Sequence, residues 1–427
     1  MSIIKDGNRL LLVRHKANDH LTYIGACFLI VIAALPLTKA LPFAIRNGVP
    51  VLGSVLIALG FLKNDFSYFK RFILEFALIA ICNAYYYYQV MQYYVSASSF
   101  LYNFTQCWIF VFLAAYYVNN PDIEAERKLF KLFVLITVIT AITSIIVMRE
   151  YPEVVRNLSN NMVWIGDKSQ YFYLHNVATW SDLYSSVFLL PTLIYLFKKT
   201  HKPIWIVAIV IIEIFVLMAQ VMMGIMLSIV FLLFLFINPP KPSRAIIIII
   251  VTIILYGLLR EFIGDILLAI YNVTKSVEGF DLTSRRILAF YRIVTAQQAL
   301  SGTFERTSLY MTSLNTFLKN PIIGFHDNGS YKMYISMHSQ MLDLFASTGI
   351  FGTIPIIYVA LSNMHRLYNR NFFDNGKYYE FLIFAIFIVL SFLNLVYYST
   401  SLFLSVFLIP VLASRLYADD AVNDTSE

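Results

Sequence analysis

The feature that most constrains this chain is a succession of apolar stretches, each about 20 residues long, that fills most of its length. Of 427 residues, 59% are hydrophobic and 13% are charged, whereas a soluble domain has about 25% charged residues. A helix of about 20 apolar residues spans the hydrocarbon core of a membrane. The sequence therefore predicts an all-α polytopic membrane protein.

Windows of this length predict about twelve transmembrane helices. They lie near residues 21–38, 48–62, 72–89, 100–118, 131–148, 181–197, 203–219, 221–237, 245–259, 341–362, 380–397 and 400–414. Spans one to nine occupy residues 1–259, a large late loop occupies 260–340, and the last three spans with a tail occupy 341–427. Met1 to His20 is polar and basic and has no small-residue cleavage site, so we expect the first span to be an uncleaved anchor.

The basic residues predict the orientation of these spans. Alternate loops carry Lys and Arg, as at Lys63 to Arg71 and Lys198 to Lys202, whereas the short loops between them carry almost none. The positive-inside rule then places both termini in the cytoplasm and the loops Arg149–Trp180 and Arg260–His338 outside. The same bias explains the net charge of +7, so the charge gives no reason to expect a nucleic-acid partner.

The sequence predicts no metal site and no cofactor. The three cysteines are far apart and each falls inside an apolar stretch, where small packing residues are the expected interpretation. They are Cys27, Cys82 and Cys107.

The late loop is rich in Arg and Tyr and contains two amphipathic segments. Ser284 to Leu300 has apolar residues at helical spacing, with Arg285, Arg286 and Arg292 beside them. Arginines in such a segment either snorkel to lipid headgroups or grip phosphate oxygens with their planar forks. The second segment, Arg306 to Lys319, has Tyr310, Leu314, Phe317 and Leu318 on its apolar face and ends before the proline that follows Asn320.

Short motifs follow the second segment. Asn320-Pro321-Ile-Ile-Gly324 predicts a turn, and His338-Ser-Gln-Met-Leu342 opens the tenth span. Gly349 and Gly352 lie deeper in that span, where small residues let another helix approach closely. A single histidine at a membrane boundary is an ordinary interfacial residue or, where a reaction needs one, a general base.

Taken together, these motifs resemble the signature of the O-antigen ligase and Wzy-type polymerase superfamily. The resemblance covers roughly fifty residues, from Arg306-Thr-Ser-Leu-Tyr310 to Gly349-x-x-Gly352. It implies metal-independent glycosyl transfer on the outer face of a bacterial inner membrane, from an oligosaccharide carried on undecaprenyl diphosphate. By position, His338 would match the base that activates the acceptor hydroxyl, and Arg306 would match the arginine that holds the diphosphate.

The chain departs from this family at one place. Family members often carry a Ser-Arg pair at the outer turn between the seventh and eighth spans, and here that turn reads Ala219-Gln-Val-Met-Met-Gly224. A second diphosphate ligand must therefore come from elsewhere. Arg285, Arg286 and Arg292 are the candidates.

Three functions fit a chain of this kind. A polymerase would join repeat units, with a chain-length regulator, a flippase and membrane lipid as its neighbours, and a ligase would pass the finished polymer to a lipid or protein acceptor. A lipid-sugar flippase or other transporter would place ionisable groups near the midplane. Only Glu75 and Glu213 lie deep in a span, and the sequence shows no evident basic partner for either.

Two further observations bear on function. A polyprenyl-phosphate glycosyltransferase with catalytic acids in its first outer loop is disfavoured, because Thr38 to Val49 contains no Asp or Glu. The run Tyr85 to Tyr88 at the outer end of the third span either forms part of an interfacial aromatic belt or stacks on glycan.

The predicted orientation can be tested with one cysteine. In a background without native cysteines, Ser330→Cys should react with an impermeant thiol reagent in intact cells or spheroplasts, because the loop from Arg260 to His338 is expected outside. Labelling that requires lysis would contradict the orientation.

Overall fold

The computed structural model describes most of the chain. The described residues are 2–6, 9–13, 19–93, 97–159, 168–236, 264–277, 280, 283–285, 287–288, 291, 301–326, 334–369, 377–396 and 399–414. Apart from one N-terminal hairpin, the regular structure in these ranges is helical.

The helices follow one another along the described chain. They are α1 His20–Ala34, α2 Phe43–Asn64, α3 Phe66–Gln89, α4 Ala97–Asn119, α5 Ile123–Met148, α6 Val154–Ser159, α7 Ser169–Leu174, α8 Trp180–Thr200, α9 Pro203–Met218, α10 Met222–Phe236, α11 Ser301–Lys319, α12 Gln340–Asn369, α13 Lys377–Leu393 and α14 Thr400–Ser414. Residues 264–275 are also helical.

The prediction that the chain is built mainly from apolar helices is confirmed. Each predicted span except the ninth coincides with a helix, and the ninth, 245–259, lies outside the described residues. Four helices (α2, α5, α8 and α12) are long and apolar enough to cross a membrane, and several others are apolar but shorter. The three cysteines are free thiols, of which Cys82 and Cys107 are buried and Cys27 is partly buried.

One element departs from the predicted all-α class. Strands β1 (Ser2–Asp6) and β2 (Arg9–Val13) pair antiparallel, with Asp6 opposite Arg9. The sequence predicted only a polar and basic N-terminus. Its five-residue strand-like runs on either side of Gly7–Asn8, a pair of residues typical of a two-residue hairpin turn, were not recognised.

Helix α8 lies at the centre of the bundle, since 83% of the residues in its most apolar 18-residue stretch are buried. It begins with a capping box in which Thr179 and Asp182 exchange hydrogen bonds. A ladder of serines then joins it to α14: the Ser185 hydroxyl lies 2.7 Å from that of Ser405 and donates to the Ser401 carbonyl at 2.9 Å. Short hydroxyl-bearing residues of this kind allow close approach of helices in an apolar setting.

Polar contacts mark two opposite ends of the bundle. At the Asp19 end, the Tyr116 hydroxyl donates to Asp19 at 2.6 Å and the Asn120 amide donates to Asp65 at 3.0 Å. At the His338 end, Lys39 donates to Asp182 at 3.3 Å. Successive helices run between these two ends, as up-and-down connections require.

The longest helix, α12, is broken near the His338 end. Gly349 adopts φ 59° and ψ −162°, which no helical residue has. A break in a buried helix releases backbone groups that need new partners. Here the Asn320–Gly324 turn supplies them. The Ile350 N–H donates to the Pro321 carbonyl at 2.8 Å, the Phe351 N–H donates to the Ile322 carbonyl at 3.0 Å, and the Phe325 N–H donates to the Ala346 carbonyl at 2.9 Å.

The break corrects one sequence-based expectation. Gly349 was expected to admit a neighbouring helix, but it admits the Asn320–Gly324 turn, whose Gly324 has φ +76°. A Cβ on Gly324 would lie 2.2 Å from the Ser347 carbonyl oxygen, and one on Gly349 would lie 2.4 Å from that of Ile322. Gly352 does face a helix, because its Cβ would lie 3.1 Å from the Tyr85 ring of α3.

Alanine at either glycine should destabilise the protein. We expect Gly324→Ala and Gly349→Ala to lower the free energy of unfolding by ~1–3 kcal/mol from backbone conformation alone, with steric overlap in addition. Thermal unfolding of the detergent-solubilised protein measures this. Gly48→Ala is the matched control, because nothing lies within 4 Å of its Cβ and alanine favours a helix. Equal unfolding temperatures for the three variants would contradict the assignment.

Candidate functional site

His338 lies on the short segment that leads into α12. Met337 before it has a left-handed backbone, φ 53°, and the His338 side chain is exposed. The helix begins at Gln340 rather than at His338, and Ser339 caps it by accepting from the Leu342 N–H at 3.2 Å. An exposed imidazole at the mouth of an apolar helix meets the first geometric requirement for a base, which is access to a reactant.

Three other elements converge on the start of α12. The Gln340 N–H donates to the Asn394 carbonyl at 3.1 Å, and the Asn394 amide donates to the Tyr184 hydroxyl at 3.3 Å. The Tyr310 hydroxyl donates to the Leu393 carbonyl at 3.0 Å. Helices α8, α11 and α13 thus fix the position of the α12 terminus, and a rigid frame of this kind is what a preorganised site needs.

A buried carboxylate lies directly behind the His338 segment. Asp343 is fully buried, and its Oδ1 accepts from the Ser313 hydroxyl at 2.7 Å, the Ser336 hydroxyl at 2.7 Å and the Ser336 N–H at 3.0 Å. The Ser336 oxygen in turn accepts from the His338 N–H at 3.1 Å. We refer to Asp343, Ser313 and Ser336 as the Asp343 cluster.

The Asp343 cluster lies where α11 meets α12. On this helix Ser313 is fully buried, whereas Leu318, which was assigned to the apolar face, is 64% exposed. Phe317 does pack as predicted, with its ring centroid 5.2 Å from that of Phe345. The helix therefore turns a mixed polar and aromatic face to α12, because Asp343 needs hydroxyl donors there.

The tyrosine run of α3 holds the turn that fills the α12 break. The Tyr85 hydroxyl donates to the Ile323 carbonyl at 2.6 Å, and the Gln89 amide donates to the same carbonyl at 3.2 Å. Tyr88 stacks on the His326 ring at a centroid distance of 5.4 Å, and His326 Nδ1 lies 3.1 Å from the Gln89 Oε1. Tyr85 thus has a structural contact, whereas the sequence offered only an aromatic belt or glycan stacking.

The predicted arginines are only partly within the described residues. Arg285 is exposed, and Arg306 belongs to α11, whereas Arg286, Arg292 and the Arg306 side chain lie outside the described residues. One contact reaches the turn between α9 and α10: the Thr283 hydroxyl donates to the Gln220 Oε1 at 2.8 Å. Gln220 lies in the turn that lacks an Arg, so the segment bearing Arg285 begins beside that turn.

The structure overturns the expectation that Glu75 has no basic partner. Its Oε1 lies 2.8 Å from Arg71 Nε and 3.1 Å from Arg366 Nη2, and its Oε2 accepts from the Asn363 amide at 3.0 Å. Arg71 lies one helical turn away on α3 and was visible in the sequence, whereas Arg366 comes from α12, 291 residues further along. The pair between Glu75 and Arg366 joins α3 to α12 between the His338 end and the Asp19 end.

Sequence reasoning missed Asp343, the strongest polar feature near His338. Its signal was present, since an acid at the fourth position of an apolar helix requires a partner. Among the described residues, no group of three or more His, Cys, Asp or Glu side chains is arranged to hold a metal ion. No protein-family model matches the chain, and no curated protein matches it either.

The contact between α3 and the Asn320–Gly324 turn gives a prediction. Tyr85→Phe removes one hydrogen bond to Ile323 and should lower the free energy of unfolding by ~0.5–1.5 kcal/mol. Amide hydrogen exchange should rise at residues 322–326. Tyr88→Phe retains the ring that stacks on His326 and serves as the control. Unchanged exchange in Tyr85→Phe would show that the hydroxyl does not hold the turn.

Proposed function

We propose that this chain is a polymerase that joins oligosaccharide repeat units carried on undecaprenyl diphosphate in a bacterial inner membrane. The observation that carries the proposal is the exposed His338 at the start of α12, on a segment fixed by Ser336. Beside it, the two glycine motifs that suggested the family pack against each other through Gly324 and Gly349. Resemblance and geometry therefore direct attention to the same end of the bundle.

The proposed reaction needs a base and an anion site. His338 accepts the proton of the acceptor hydroxyl, whose oxygen then attacks the anomeric carbon of the donor. The bond from that carbon to the diphosphate oxygen breaks, and undecaprenyl diphosphate leaves as an anion. Imidazole suits the first role because it titrates near neutral pH. Attack opposite the phosphate inverts the anomeric centre.

Arginine suits the second role. A guanidinium binds two phosphate oxygens at once and stabilises the charge that develops on the leaving group. Arg306 is the residue that the resemblance assigns to this role. The bond from Thr283 to Gln220 supports Arg285 as the second ligand, because it brings the chain two residues before Arg285 to the turn where family members carry an arginine.

The alternatives use the same observations differently. A ligase would employ the same base and arginines on a different acceptor, so the acceptor alone separates it from a polymerase. Transport is disfavoured by a different argument from the one based on sequence. Glu75 accepts hydrogen bonds from two arginines and an asparagine. Such a network holds the carboxylate in one place, whereas a transporter needs an ionisable group that can exchange its partner.

The proposal predicts the glycans of a deletion strain. Loss of the gene should remove all lipid-linked chains longer than one repeat unit, and the wild-type gene should restore them. His338→Gln should fail to restore them because an amide cannot take a proton, and general-base catalysis contributes ~10²–10⁴-fold. The length ladder on a gel is the measurement.

His326→Gln is the matched control for this experiment. It makes the same chemical change at the same end of the bundle, and its amide retains hydrogen-bonding capacity toward Gln89. We expect it to restore the ladder. An intact lipid-linked ladder that never reaches an acceptor in the deletion strain would indicate a ligase, and an active His338→Gln protein would remove His338 as the base.

A further inference from the structure

The Asp343 cluster connects a buried charge to the backbone of His338. Asp343 is fully buried five residues after His338, and its Oδ1 accepts from both hydroxyls of the cluster at 2.7 Å. Within the described chain its Oδ2 has no hydrogen-bond partner. A carboxylate so enclosed is costly, and three donors on a single oxygen offset part of that cost.

The directions of the hydrogen bonds identify what Asp343 controls. The Ser336 hydroxyl has one proton, which it donates to Asp343, so its oxygen is left to accept. It accepts from the His338 N–H at 3.1 Å and the Ser339 N–H at 3.3 Å. A carboxylate only accepts, so it holds the serine hydroxyl in this one orientation. An amide at position 343 would add a donor to a site that already has three.

We infer that Asp343 is a positioning residue, which acts through Ser336 to hold the His338 segment where its imidazole meets the acceptor hydroxyl. This inference rests on the function proposed above. Asp343 touches neither substrate nor reacting atoms in this role. The bond from Ser313 joins the same carboxylate to α11, so the helix that bears Arg306 and the segment that bears His338 share one anchor.

Two variants separate positioning from simple support of the fold. Ser336→Ala removes the link to His338 but leaves the bond between Ser313 and Asp343, and Asp343→Asn keeps the shape while removing the acceptor-only group. Glu126→Gln is the matched control, because Glu126 is a fully buried acid at the Asp19 end whose Oε1 accepts from the Asp122 N–H at 2.8 Å. Each variant is made in the full-length protein in lipid nanodiscs.

The first readout is polymerisation of a lipid-linked repeat unit. For Ser336→Ala and Asp343→Asn we expect kcat to fall between about tenfold and about 100-fold, because a small misplacement of a catalytic group has effects of this size. KM should change by less than about twofold, since substrate binding is not what these variants remove. Glu126→Gln should match wild type. Wild-type kcat in both cluster variants would overturn the inference.

The second readout does not depend on activity. Diethyl pyrocarbonate modifies accessible neutral imidazoles, and peptide mass spectrometry gives the rate at His338 with His326 as the reference in the same protein. We expect the ratio of the two rates to change at least about threefold in both variants, because the His338 backbone loses its acceptor in Ser336→Ala and the fixed orientation of that acceptor in Asp343→Asn. An unchanged ratio in both variants would overturn the inference even if polymerisation failed.

The two readouts distinguish failure of this inference from failure of the proposed function. If His338→Gln polymerises normally while the modification ratio shifts, His338 is positioned by Asp343 but is not the base. If His338→Gln is inactive and the ratio does not shift, His338 stands as the base and Asp343 has no positioning role.

Discussion

The structure depends on one constraint, that backbone groups released inside an apolar bundle must find partners within the protein. An unsatisfied group in such surroundings costs ~1–3 kcal/mol or more. Helix α12 breaks at Gly349, and the Asn320–Gly324 turn replaces the missing bonds on both sides of the break. A hydrogen bond from Tyr85 of α3 holds this turn in place. The repair of this one interruption therefore connects α3, α12 and the turn between α11 and α12.

This constraint explains why motifs separated in sequence belong together. Gly324 and Gly349 both have positive φ and both approach backbone too closely for a Cβ. Each glycine is needed because the other segment occupies the space where its side chain would be. The two short motifs thus form the two sides of a single contact. Taken alone, the motif with Gly324 predicts an ordinary turn, and the motif with Gly349 predicts an ordinary site of helix packing.

Much of the helical architecture followed from the sequence, because apolar runs of membrane length are a local property. The end of α11 at Lys319 was likewise local, since the residue before Pro321 leaves the helical region. The break at Gly349 was not predictable in this way, because its backbone angles are set by a turn that is distant in sequence.

The candidate site was less predictable than the helices. His338 was identifiable by position, but the role of Asp343 depends on Ser313 and Ser336, which only the fold brings to the same oxygen. Glu75 illustrates both cases. Its partner Arg71 is one turn away, whereas Arg366 reaches it from another helix. Partners on the same helix can be read from spacing, and partners on other helices cannot.

Helices α3 and α12 are fastened to each other at two levels. Near one end Tyr85 holds the turn embedded in α12, and ten residues earlier, about 15 Å along α3, Glu75 binds Arg366. Two attachments at different heights prevent both sliding and hinging between the pair. Any rearrangement of this bundle must therefore occur between other helices, with α3 and α12 moving as one body.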